Sequence, residues 1–198
     1  MEIVDNVTIT NNVVENTLSG VFIGAAREAS PKQSPSNVTI SNNLFKNLGW
    51  RYAGGQYVDP DTGSGEEPFS FLVGDGSNIT IDHNTLVTDM ILPQGMAYGA
   101  DMEGATGAVV LKNNIFKWGY DDPRPVMLTA FAAGNVMVGA PNVLPNFNPP
   151  DWQSVGFENY RRENYELAAS SPYKNKATDS TPTRPSDPGA NIGLLPAP

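Results

Sequence analysis

At 198 residues the chain has the length of a single domain. A net charge of −9 argues against nucleic acid and anionic membrane surfaces as partners, and no apolar run reaches membrane-spanning length. With no cysteine and one histidine, the chain has no disulfide or thiolate metal site, and an all-protein zinc site lacks its residues.

The chain opens directly on a repeat. Residues 3–16 contain NVTITNNVV (6–14), in which Val7, Thr8 and Ile9 alternate with period two and read as a short half-buried strand. A turn at Asn-Asn follows, then a second short strand. Asn suits that turn because it tolerates left-handed backbone angles. MEIVDNVTI is already strand, so no signal peptide is visible. Nothing before it covers Ile3, Val7, Ile9, Val13 and Val21, so self-association through this first repeat is expected. The same uncapped start implies the C-terminal part of a longer protein. LSGVFIGA (18–25) reads as a strand on another face, and residues 26–36 as a polar loop.

The pattern returns as NVTISNNLF (37–45), NITIDHNTL (78–86), AVVLKNNIF (108–116) and, more weakly, FAAGNVMVG (131–139). Aligned, these put Asn12, Asn43, Asn84, Asn114 and Asn135 at one position, with intervals of 31, 41, 30 and 21 residues. Stacked there, their amides can bond to each other and to backbone in a dry interior. Three short parallel strands and their turns need about 20–25 residues, so the longer intervals contain loops. The longest insertion is residues 51–68. PFSFLVGDG (68–76) reads as a strand and turn. After Val138 the repeat dissolves into a Pro- and Asn-rich stretch, with a short helix expected near residues 151–163. Three N-x-T sequons, at Asn6, Asn37 and Asn78, are products of the repeat and are not read as glycosylation sites.

These repeats resemble the right-handed parallel β-helix of the pectin-lyase-like fold, with its internal asparagine ladder. YELAASSPYKNKATD (165–179) followed by PGANIGLL (188–195) is similar to the closing segment of many bacterial β-helix repeat proteins. The resemblance implies an all-β solenoid of about five coils over residues 1–139, and an irregular capping segment over 140–198. It also implies an exported parent protein, secreted or at the cell surface.

Counting back from the ladder aligns the strand that lines the groove in enzymes of that fold. Phe71 and Val73 then match Asp101 and Glu103, and next Asp122 and Arg124, with Leu72 and Met102 inward. Neighbours on such a sheet are about 4.8 Å apart, so Asp101, Glu103, Asp122 and Arg124 form a candidate catalytic patch. Clustered carboxylates bind Ca²⁺, which bridges an acidic sugar, with Arg as base or clamp. A carboxylate pair also serves glycoside hydrolysis. The resemblance favours the lyase chemistry, although no local motif of the pectate-lyase or polygalacturonase families is present. The plain alternative is a solvated charged face. Asp59, Asp61, Glu66 and Glu67 in the long insertion are a second candidate Ca²⁺ set, against a simple acidic loop. Trp50, Tyr52, Tyr57 and Trp118 are candidate sugar-stacking rings, against packing under loops. His83 lies between Asp82 and Asn84, and is read as a turn histidine bonded to backbone rather than a catalytic base. The functional expectation is a carbohydrate-interacting module with lyase or hydrolase chemistry. The rival is a non-catalytic structural or adhesive solenoid.

Overall fold

The computed structural model describes residues 4–17, 19–24, 34–48, 69–73, 75–87, 98–101, 108–118, 130–140 and 145–191. The repeat becomes a succession of short strands that pass in turn through three sheets. β1 (Asp5–Thr10), β2 (Val13–Thr17) and β3 (Val21–Ile23) come from the first repeat. β4 (Ser36–Ser41), β5 (Leu44–Leu48) and β6 (Phe69–Val73) come from the second. β7 (Ser77–Asp82), β8 (Thr85–Val87) and β9 (Tyr98–Asp101) form the third. β10 (Val109–Lys112) and β11 (Ile115–Lys117), then β12 (Ala130–Ala133) and β13 (Val136–Val138), continue the series.

The first sheet runs β1-β4-β7-β10-β12, the second β2-β5-β8-β11-β13 and the third β3-β6-β9. Every neighbouring pair in these sheets is parallel. Register keeps like residues in columns. Ile9, Ile40, Ile81 and Leu111 stack in the first sheet, and Val14, Phe45, Leu86, Phe116 and Met137 in the second. From the second repeat on, these side chains are buried and form one core. Each fully buried Leu, Ile or Phe contributes about 1.5–3 kcal/mol relative to exposure. Phe71 of the third sheet meets Phe116 edge-on, with ring centroids 5.8 Å apart, joining that sheet to the second across the interior.

The two-residue corner between the first and second sheets is the most regular feature. Its first residue is Asn11, Asn42, His83, Asn113 or Gly134, all left-handed, with φ of 59, 52, 54, 53 and 68°. Asn and Gly enter that region most readily, which accounts for the choice of residue. The second corner residue points inward as a ladder. Asn12 donates its backbone N–H and its amide to Asn43 Oδ1, both at 3.0 Å. Asn43 does the same to Asn84, Asn84 to Asn114, and Asn114 to Asn135. The amides of Asn43, Asn84, Asn114 and Asn135 also donate to main-chain carbonyls of the preceding repeat, at 2.8–3.0 Å.

The ladder continues one step beyond the sequence expectation. Asn135 donates to Asn146 Oδ1 at 3.0 Å from its N–H and 2.8 Å from its amide, and Phe147 bridges to Val136 in parallel. The repeat therefore does not dissolve at Val138; one short rung follows. Near residues 151–163 there is no α-helix. Two single 3-10 turns, Gln153–Val155 and Tyr160–Arg162, alternate with β14 (Phe157–Asn159) and β15 (Asn164–Leu167), which pair antiparallel. This segment lies along the outer face of the second sheet. Val155 and Leu167 pack on Ile115, Val136 and Val138, flanked by Phe147, Trp152, Phe157 and Tyr173.

Residues 178–191 then run back along the Asn corners as a strap. Thr178 N donates to Asn113 Oδ1, Gly189 N to Asn113 O, Ala190 N to Thr85 Oγ1 and Asn191 N to Asn42 Oδ1, at 2.6–2.8 Å. Gly189 has φ of 86°, and a Cβ there would meet Thr85 Oγ1 and Ile115 Cδ1 at 2.6 Å. Only glycine allows so close an approach.

Candidate functional site

The third sheet carries the one described member of the predicted catalytic patch. Asp101 ends β9 and pairs in register with Leu72 of β6, which pairs in turn with Phe22 of β3. Phe71 and Val73 are 0% and 1% exposed, whereas Phe22 is 60% exposed. Phe71 and Val73 are thus inward, and Asp101 is in register with Leu72 and, through it, with Phe22. The expected register, with Leu72 inward and Asp101 beside Phe71, is displaced by one residue: Ala100 takes the place beside Phe71. The cause is one extra residue between β9 and Asn114, relative to that between β6 and Asn84.

Glu103, Asp122 and Arg124 lie outside the described residues, as do Trp50, Tyr52, Tyr57, Asp59, Asp61, Glu66 and Glu67. Trp118 directly follows β11 and is half-buried, packed against the main core. Among the described residues no group of three or more His, Asp or Glu side chains is placed to hold a metal ion.

A second polar cluster forms at the corner of the third repeat. Asp82 Oδ1 lies 2.7 Å from His83 Nδ1, and Asp82 Oδ2 lies 3.2 Å from Lys112 Nζ. Asn113 donates its amide to Asp82 Oδ1 at 3.0 Å. His83 Nε2 lies 3.1 Å from Ser186 Oγ and 3.5 Å from Asp179 Oδ1. The ring is therefore held by side chains, not by backbone as the sequence reading had it. Strand alternation, which would send Asp82 and His83 to opposite faces, fails because His83 is left-handed (φ 54°). Burial pushes the Asp82 carboxyl up, but the hydrogen bond and charge of His83, then Lys112 and Asn113, outweigh it. The net result holds Asp82 below the usual carboxylate range.

An Asp-oriented imidazole beside a serine hydroxyl is the arrangement that activates a nucleophile. Acyl transfer also needs N–H donors aimed at the developing oxyanion. The Ser186 N–H is instead given to Ser180 Oγ at 3.1 Å. What the cluster visibly does is fasten the strap to the third corner. His83 and Ser186 are 103 residues apart in sequence, so only the Asp82-His83 pair was a legible signal.

The aromatic cluster among the described residues is made of other rings than the expected ones. Trp152, Phe157 and Tyr160 stack with centroids 6.2 Å apart, and Tyr165 meets Phe157 and Tyr160 edge-on at 5.4 and 5.7 Å. All four rings are at least half-buried against one another or the second sheet. Compared with known proteins, the chain matches no family model, no curated protein and no solved structure.

Proposed function

We propose that the three sheets are the faces of a right-handed parallel β-helix of about five coils, and that the third face binds carbohydrate. The observation that carries this reading is the distribution of insertions. The corner between the first and second sheets is two residues long in every repeat, at 11–12, 42–43, 83–84, 113–114 and 134–135. The segments on either side of the third sheet vary freely. Residues 49–68 and 88–97 lead into it, and residues 24–35, 74–76 and 102–108 lead out. Insertions confined to one face of a stacked-repeat protein are the usual sign of a binding face. Asp101 stands on that face.

With a net charge of −9, the chain binds an acidic glycan only with a cation between them. Affinity electrophoresis through acidic and neutral polysaccharides, with Ca²⁺ or with chelator, tests the proposal. Retardation should be seen in at least one gel, depend on Ca²⁺ if the glycan is acidic, and weaken about tenfold in Asp101→Asn and Glu103→Gln. Migration unaffected by every polysaccharide would contradict it.

A further inference from the structure

All three strands of the first repeat are sheet edges on the same side, since β1, β2 and β3 each end their sheet order. In the first sheet, the position that is buried in later repeats is open here: Ile9 is 41% exposed, against 1% for Ile40 and 0% for Ile81. Val4 and Phe22 are 57% and 60% exposed.

That edge also carries a polar code. In the inner ladder, each Asn donates to Oδ1 of the Asn in the following repeat. Asn12 Oδ1 therefore faces the open side as an acceptor, and accepts nothing among the described residues. The outer rows run the other way. Asn42 donates its amide to Asn11 Oδ1 at 2.6 Å, and Asn47 to Asn16 Oδ1 at 3.2 Å. The amides of Asn11 and Asn16 thus face the open side as donors, again without a partner among the described residues. The edge reads donor, acceptor, donor, beside a strip of half-exposed Val and Ile.

We propose that this edge is a docking surface for a polypeptide segment of one kind: strand–Asn-Asn–strand, laid parallel to β1 and β2. Such a segment delivers a backbone N–H and an amide to Asn12 Oδ1, and presents side-chain carbonyls to Asn11 and Asn16. It is the complement that the second repeat already receives from the first, and its ladder part recurs between later repeats. The code also selects against a two-fold dimer as the form of the self-association expected from the sequence. An isologous contact pairs β1 with its copy in antiparallel, which stacks no second ladder Asn on Asn12. Main-chain pairing supplies affinity in this mode, and the side-chain code supplies register.

The test uses the full chain and a fluorescent synthetic peptide of residues 36–48, which carries the required SNVTISNNLFKNL pattern. Fluorescence anisotropy should show saturable binding. Asn43→Asp in the peptide puts a carboxylate on the Asn12 acceptor and should weaken binding at least tenfold. Asn12→Leu in the protein should do the same. Asn12 is exposed, so this variant should fold, and the peptide variant decides the matter if it does not. Sedimentation of the unmodified chain should show no dimer that Thr8→Pro dissociates. No binding by the peptide, equal binding by its Asn43→Asp form, or a Thr8-dependent dimer would each overturn the proposal.

Discussion

The ladder asparagines and the Asp82–His83 clasp are where single residues do the most. Asn84 is fully buried, and its amide and Oδ1 together bond to Asn43, Ile40, Asp82 and Asn114. Replacing it by Leu strands buried partners on both sides. Asn84→Leu should therefore cost about 1–3 kcal/mol, seen as a lower urea midpoint at unchanged slope. Asn12→Leu, at the exposed end of the same ladder, should cost about 1 kcal/mol or less by the same measurement. Asp82 supplies a pH signature. Its folded carboxyl sits below its ordinary value, so its stabilising contribution is complete above the unfolded pKa of about 4 and is lost as pH falls through the folded one. The acid limb of a stability-versus-pH curve should flatten in Asp82→Asn, and a limb identical to that of the unmodified chain would remove Asp82 from the account.

Elements differ in how far their sequence announces them. Val-Thr-Ile before Asn-Asn is legible because alternation and turn chemistry agree, and the structure places β1, β4, β7 and the ladder where that pattern puts them. Asn146 was not legible. It follows Asn135 by only 11 residues, too few for a full repeat, although Asn-Phe-Asn behind Pro145 imitates the earlier corners. The register of β9 was lost for a related reason: a count from a fixed position fails once a connection gains one residue. The strap could not be foreseen, because its partners are main-chain and corner groups far away in sequence. Its weak point is Gly189. Gly189→Ala must accept both a left-handed φ and contacts of 2.6 Å. Its stability should fall by about 1 kcal/mol or more. Limited proteolysis should cut first within residues 178–191, and an unchanged cleavage pattern would show that the strap does not depend on that approach.

For the whole molecule, regularity and variability are kept apart. The ladder and its corner hold successive repeats in one register, the C-terminal segment covers the second sheet, and the connections 24–35, 49–68 and 88–97 adjoin strands of the third sheet in sequence. Of the site predicted from sequence, Asp101 ends a strand of that sheet, and the remaining patch residues lie outside the described residues. The functional reading therefore rests on the register of the third sheet. The chain has no cysteine, so engineered pairs report register without background. Leu72→Cys combined with Asp101→Cys should cross-link readily under mild oxidation, since register partners on adjacent strands meet the Cα separation of about 4.4–6.8 Å that a disulfide requires. Leu72→Cys combined with Met102→Cys should not. The reverse result would shift the sheet by one residue, pair position 101 with Phe71 and contradict the register on which the proposed binding face rests.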